Sequence, residues 1–335
     1  MTWPVSSTAF SPAGLNEGWQ CCPDGIGNIW VANYVGGSVL KIFANTGALL
    51  ATNTNSTAPQ FICFDVATGN VWASNGTTLA IFSGATGIAT SFSPISPAPS
   101  GSILGACSDG HGMVWIVTAN STARVYNSVT GAEAAFSPIT LPAGASPRGL
   151  CYDATTDTIW TANYGANSAT KITRTTGAIV GTYAGTTTMQ SPAGPCTDGT
   201  HIWFCNAAGS TMTALIAATG VEAAYSPVTV GSSPFGACFD GKYVWAANDG
   251  GTTLSGILAS TGVVRASPTV GSGPLFPCWD PTSDAVWACN NGTTTISKVI
   301  VGASLEGYSS TYAGYALVPV GAQAKAPGKL APGFR

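Results

Sequence analysis

The sequence predicts an all-β chain folded as a seven-bladed β-propeller, and three observations predict it. Tryptophan recurs with a steady period: Trp30, Trp72, Trp115, Trp160, Trp203, Trp245 and Trp287 are separated by 42, 43, 45, 43, 42 and 42 residues. Each period holds four short runs of Val, Ile, Thr and aromatic residues, the types that suit a pleated, half-buried surface. Between the runs stand Asp-Gly, Asn-Gly and Thr-Gly steps, where glycine and asparagine accept the positive φ of tight turns. A repeat of roughly 40–45 residues with four strands is that of a propeller blade.

Residues 233–262, SPFGACFDGKYVWAANDGGTTLSGILASTG, show one unit in full. Strand a is the run through Cys-x-Asp, and Asp240-Gly241 turns it into strand b. Strand b carries the Trp. Asn248 to Gly251 turns it into strand c, and Thr261-Gly262 turns c into d. An Asp lies five to seven residues before every Trp, at Asp24, Asp65, Asp109, Asp153, Asp198, Asp240 and Asp280. Seven carboxylates at one repeated place read as turn caps rather than a catalytic ring. Six of the Trp are followed three residues later by Asn, with Asn120 displaced in the third repeat. The Trp is expected to fill the gap between neighbouring blades, its indole N–H donating to a backbone carbonyl.

Composition narrows the function classes. Charged residues make up 7% of the 335 and the net charge is -3, which offers nucleic acid or anionic lipid no electrostatic footing. Mean hydropathy is +0.27, yet no run approaches the ~18 apolar residues of a membrane helix. The first residues, MTWPVSSTAFSP, have neither the basic nor the apolar region of a secretory signal. Synthesis in the cytoplasm is therefore expected. Of ten cysteines, seven occur once per repeat, as Cys22, Cys63, Cys107, Cys151, Cys196, Cys238 and Cys278. With no CxxC or Cys/His spacing, they read as small apolar side chains in a packed interior, kept as free thiols.

VWAAN at residues 244–248, IWVANYVGGSVLKI at 29–42 and IWTANYGANSATKI at 159–172 resemble the repeats of YVTN, NHL and streptogramin-lyase-like propellers, over roughly residues 19 to 302. The resemblance implies a seven-bladed ring. Its lyase branch implies His and Glu side chains working with a magnesium ion and an acidic residue after the Trp. In this chain that position is Asn in nearly every repeat.

A ring must be sealed or its end blades expose sheet edges. STAFSP at residues 7–12 matches ATSFSP at 89–94, AEAAFSP at 132–138 and VEAAYSP at 221–227, which read as strand d. Residues 5 to 11 are therefore expected to supply the outer strand of the seventh blade. Two regions follow: a propeller over 1–302, and a C-terminal strand with an extended Gly/Pro/Ala-rich arm over 303–335. The arm carries Lys325, Lys329 and Arg335 and is expected to hold a partner protein or another copy.

Acid–base chemistry is sparse. His111 and His201 fall near a–b turns of different blades. The chain has four Glu, of which Glu133 and Glu222 share one outer-rim position. No nucleophile elbow, phosphate loop or calcium loop occurs. The expectation is a non-enzymatic structural or interaction propeller without cofactor, working as a bacteriophage virion component (head decoration, collar or tail). The second reading is a surface glycan- or receptor-binding propeller, and the third a lyase-like enzyme. The candidate interaction surface is the b–c loop face, through Tyr34, Tyr164, Asn163 and Asn248, together with Lys325, Lys329 and Arg335 of the arm.

Overall fold

The computed structural model describes residues 5–54, 56–96, 101–184 and 188–301. They form seven antiparallel sheets in a ring. The inner strands, a, are Gly18–Pro23, Ile62–Asp65, Ile103–Ser108, Leu150–Asp153, Pro192–Thr197, Pro234–Phe239 and Pro274–Asp280. Each touches the strand a of the next blade, and the last touches the first. The b strands are Asn28–Asn33, Asn70–Asn75, Met113–Thr118, Thr158–Asn163, His201–Asn206, Tyr243–Asn248 and Ala285–Asn290. The only helical turn among the described residues is Tyr164–Ala166.

The seal lies where the end motif predicts it. Val5–Phe10 pairs antiparallel with Thr295–Val301, from Val5↔Val301 to Phe10↔Ile296, as the fourth strand of blade 7. The arm, with Lys325, Lys329 and Arg335, lies outside the described residues.

The seven Trp are buried to 1% exposure or less. Each faces the next blade, and in five blades an aromatic from the outer segment lies against it: Phe92 on Trp72, Phe136 on Trp115, Tyr183 on Trp160, Tyr225 on Trp203 and Phe10 on Trp287. The Thr-Gly turn of the following blade closes over that aromatic. A Cβ on Gly131, Gly177, Gly220, Gly262 or Gly47 would stand 1.9–2.7 Å from Phe92, Phe136, Tyr183, Tyr225 or Phe10 respectively. This explains the glycine twice over, since each also has φ between 69° and 73°. The Phe10–Gly47 contact makes the 7→1 seam a copy of the others.

Two expectations are corrected. The indoles do not donate to backbone carbonyls. Trp203 and Trp245 donate to Asp198 and Asp240 at 2.9 and 2.7 Å, and Trp287 to the Ser283 hydroxyl at 3.4 Å. Only in those first two blades is the Asp five residues before the Trp, which brings the carboxylate under the ring. Trp30, Trp72, Trp115 and Trp160 have no protein acceptor among the described residues. In blades 1, 4 and 7 a lysine directly across the ladder covers the Trp face instead: Lys41, Lys171 and Lys298, at 5.2–5.5 Å from the ring centroid. Each ammonium reaches on to the next blade, donating to a carbonyl of Gly84, Ala217 or Ala44 at 2.6–2.8 Å.

The second correction concerns the outer strand. Unlike the N-terminal strand, the runs at 89–94, 132–138 and 221–227 are not continuous strands; they touch strand c through single bridges, as at Tyr126↔Glu133 and Leu215↔Glu222. The pairing resumes as two-residue strands, Ile139–Thr140 and Val228–Thr229, after a cis Ser-Pro bond. Proline has no N–H for the ladder. The preceding serine stands in for a main-chain acceptor, its hydroxyl accepting the strand-c N–H of Ile81, Val125 or Ala214.

The repeated Asp residues are turn caps. Asp240 accepts from the N–H groups of Lys242 and Tyr243, and Asp198 from those of Thr200 and His201. Asp65 and Asp153 also accept from Ser108 and Thr197 of the following blade. All ten cysteines are free and buried.

Candidate functional site: the mouth of the central channel

Two register positions of the repeat point into the channel end on the b–c side. One lies three residues before the repeated Cys and begins strand a. It is occupied in blade order by Trp19, Gln60, Leu104, Arg148, Ala193, Phe235 and Leu275. The other follows the strand-b Asn and opens the b–c turn. Tyr34, Tyr164, Asp249 and Asn291 occupy it in blades 1, 4, 6 and 7. The Cys, Asp and Trp of the repeat recur in every blade; these two positions change from blade to blade.

Trp19, Arg148, Tyr164, Phe235, Asp249, Leu275 and Asn291 line a mouth of about 220 Å³. They come from blades 1, 4, 6 and 7, so the space spans the ring rather than lying in one blade. The aromatics stand as walls: Tyr164 lies 6.2 Å from Phe235, and Tyr34 packs edge-on to Trp19 at 5.4 Å. The Arg148 guanidinium lies 5.5 Å from the Tyr164 ring centroid.

The polar groups of the mouth are spare. Trp19 Nε1, Arg148 Nε and Asn291 Nδ2 are buried donors without a protein acceptor. Neither Arg148 nor Asp249 joins an ion pair among the described residues. Burial pushes the Asp249 carboxyl above the ordinary aspartate range. The amide N–H groups of the strand-b Asn residues are committed inside the blades: Asn163, Asn206, Asn248 and Asn290 each donate to two strand-c hydroxyls.

Below the mouth the channel narrows to a waist of about 60 Å³. The position two before the repeated Cys forms it. In blades 3 to 6 that position is Gly105, Gly149, Gly194 and Gly236, whose backbones touch in series; a Cβ on Gly194 would stand 2.4 Å from Gly236 Cα. In blade 7 it is Phe276, held at φ 33°. Phe61 of blade 2 and Phe235 of blade 6 meet Phe276 edge-on at 5.3 and 5.6 Å, and these rings fill the opening. The mouth is thus a cup with an aromatic floor.

Of the sequence-based candidates, the structure brings Tyr164 into the mouth and sets half-buried Tyr34 beside it against Trp19. Asn163 and Asn248 are corrected: both are 0% exposed, their amides spent on strand c, because the last residue of strand b points back under the turn. Sequence reasoning missed Trp19, Arg148, Phe235, Asp249 and Asn291. Aligning the seven repeats by their Cys and Asn would have found them as the places where residue type is not repeated.

The histidines lie at the other end. His111 Nδ1 is 2.7 Å from the Asp109 carbonyl oxygen, and its ring meets Tyr152; His201 lies 3.2 Å from Asp198 and packs on Trp203 and Tyr225. They belong to blades 3 and 5 and share no neighbour in these contacts. Among the described residues no three His, Cys, Asp or Glu side chains are grouped as metal ligands. The donor set of a His/Glu magnesium site does not fit these residues.

No family model matches the chain, and no curated protein matches it. Solved structures do. A streptogramin B lyase superposes with a TM-score of 0.76 at 15% identity, covering 89% of this chain and 99% of its own. A virginiamycin B lyase from Staphylococcus aureus gives 0.75 at 14%, covering 88% and 99%. The hydrazine synthase of Kuenenia stuttgartiensis gives 0.71 at 15%, covering 86% and 96%. At such identity the likeness is one of architecture: this chain is a seven-bladed β-propeller of the shape seen in the streptogramin B lyases.

Proposed function

We propose that the chain is a non-enzymatic recognition propeller whose ligand seats in the b–c mouth. The observation that carries the proposal is the cup itself. Aromatic walls, an unpaired Arg148, an unpaired Asp249 and the spare donors of Trp19 and Asn291 converge in about 220 Å³. Rigid frames commonly present binding groups on such loops. Convergent polar groups without partners are costly unless something completes them. The space suits one sugar-sized ring. Arg148 would hold a carboxylate, Asp249 would accept from hydroxyls, and Tyr164 and Phe235 would face the apolar side of the ring. The ligand class is an acidic sugar at the end of a glycan.

Titration calorimetry with glucuronic acid, N-acetylneuraminic acid and neutral hexoses tests this. Binding of an acidic sugar that Arg148→Gln abolishes supports the site. Equal binding by that variant, or silence across acidic and neutral sugars, refutes it.

The wider setting is a second part of the same proposal: a structural component of a bacteriophage particle, held by other particle proteins or by copies of itself. What supports it is composition, rich in Gly, Ala, Ser and Thr and 7% charged, with a C-terminal arm of low complexity. Sedimentation of the full chain beside a 1–302 variant tests the role of the arm. Self-association lost on truncation supports it; a monomer in both refutes self-assembly.

A further inference from the structure

We propose that Cys21 and Cys278 form a reversible disulfide that locks the first blade to the last. Repeated cysteines all sit at one place in strand a and face the following blade. There each faces the position just before that blade's own repeated Cys, occupied by Ile62, Ala106, Leu150, Pro195, Ala237, Pro277 and, across the seam from blade 7, Cys21. Blade 1 is thus the one blade with a thiol at the receiving position. Strand alternation separates the doublet: Cys22 packs toward blade 2 with Ile62 and Val71, while Cys21 packs toward blade 7 with Cys278 and Trp287.

The geometry is close to bonding. The two Sγ atoms lie 3.3 Å apart. A disulfide of ~2.05 Å needs each to approach by about 0.6 Å. Cys21 is the member best placed to ionise. Burial opposes its anion, but hydrogen bonds from the Cys278 and Cys289 thiols outweigh that and lower it. Burial pushes both of those partners up. Gln20 and Pro277, the chain neighbours of Cys21 and Cys278, line the channel waist, so a small oxidant in the waist stands one residue away.

Hydrogen peroxide is such an oxidant. The Cys21 thiolate attacks one peroxide oxygen, the O–O bond breaks, and protonation of the leaving hydroxide releases water and Cys21 sulfenic acid. Cys278 sulfur then attacks Cys21 sulfur. The S–O bond breaks, and the thiol proton leaves with the hydroxide as a second water. Two thiols are oxidised by two electrons and one peroxide is reduced to two waters. The bond closes a loop across 257 residues of sequence, and long loops gain most from closure.

The test uses the full chain, treated with dilute peroxide, alkylated in denaturant and mapped without reduction. The expected product is a cross-link between the Cys21 and Cys278 peptides, lighter by two hydrogens, with the other eight cysteines alkylated. Tm should rise by about 5–8 °C and fall back with dithiothreitol. C22S should keep the cross-link, and C278S should lose both it and the Tm response. Ten alkylated thiols, Cys21 bonded to Cys289, or Cys21 carried on to sulfinic acid would each overturn the proposal; the wild-type map gives that answer even if a variant fails to fold.

Discussion

The blade seams and the channel mouth are built from the same repeat by opposite rules. At the seams, one residue type recurs at one register position, and the repeated Asp caps and the lysine ammoniums are hydrogen-bonded within the ring, though four indoles are left without an acceptor. At the mouth, two register positions change identity from blade to blade, and several polar groups have no partner. The seams hold the ring together. The mouth gathers buried donors of Trp19, Arg148 and Asn291 that have no protein acceptor.

Substitutions can break or sharpen that contrast. The largest effect is expected at Trp160, buried under Tyr183 and Lys171. Trp160→Ala should cost about 3–5 kcal/mol in denaturant unfolding. Next comes Gly194→Ala at the waist, where φ is 43° and the new Cβ meets backbone. A cost of about 2–4 kcal/mol is expected, from overpacking together with strain. Lys298→Met removes the ammonium that links blade 7 to the Ala44 carbonyl, and about 1.5–3 kcal/mol should go with it. Mouth substitutions should be nearly silent in stability. Arg148→Gln and Asp249→Asn should stay within about 0.5 kcal/mol of the parent while sugar binding falls at least tenfold. If either unfolds the ring, the mouth is scaffold after all.

Acid gives a finer version of the same comparison. Asp249 titrates above the ordinary range because burial disfavours its charge. Its protonation on acidification removes an acceptor from the mouth while slightly favouring the folded state. Sugar binding should therefore weaken as pH falls through that raised value, before any loss of fold. Asp157 runs the other way. The Arg174 guanidinium holds it below the ordinary range. Its contribution is complete above the unfolded aspartate pKa and is lost as pH falls through the lower folded value. Binding monitored beside circular dichroism on one acid titration separates the two; simultaneous loss would contradict the assignment.

Much of the scaffold was legible because its physics is periodic. The Trp spacing counts the blades, Asp-Gly and Thr-Gly mark the turns, and STAFSP announces a strand that belongs to the far end. The indole partners were not legible, since a shift of one or two residues in the Asp–Trp interval decides whether the carboxylate reaches the ring. The runs at 89–94, 132–138 and 221–227 misled because the chain turns within them: the N–H of Ser93, Ser137 or Ser226 donates to the carbonyl three residues back, ending the ladder that the hydrophobic alternation promises. Asn163 and Asn248 looked like loop residues because Asn favours turns, yet each ends strand b and turns inward. The mouth stayed hidden because its residues are conspicuous only against their six equivalents. Tyr34 and Tyr164 were found as loop aromatics, while Trp19 and Phe235 read as ordinary strand residues.

The pairing of Val5–Phe10 with Thr295–Val301 also sets an order of events during synthesis. Val5–Phe10 leaves the ribosome long before Thr295–Val301, the strand it pairs with. Until Thr295–Val301 is made, Val5–Phe10 waits unpaired, an outer strand without its blade. Contacts of such sequence separation are slow to form. A nascent chain stopped at blade 6 would therefore leave uncovered the apolar faces of blades 1 and 6 that pack on blade 7, and any fusion placed before Val5 would sit on the strand whose docking completes the ring.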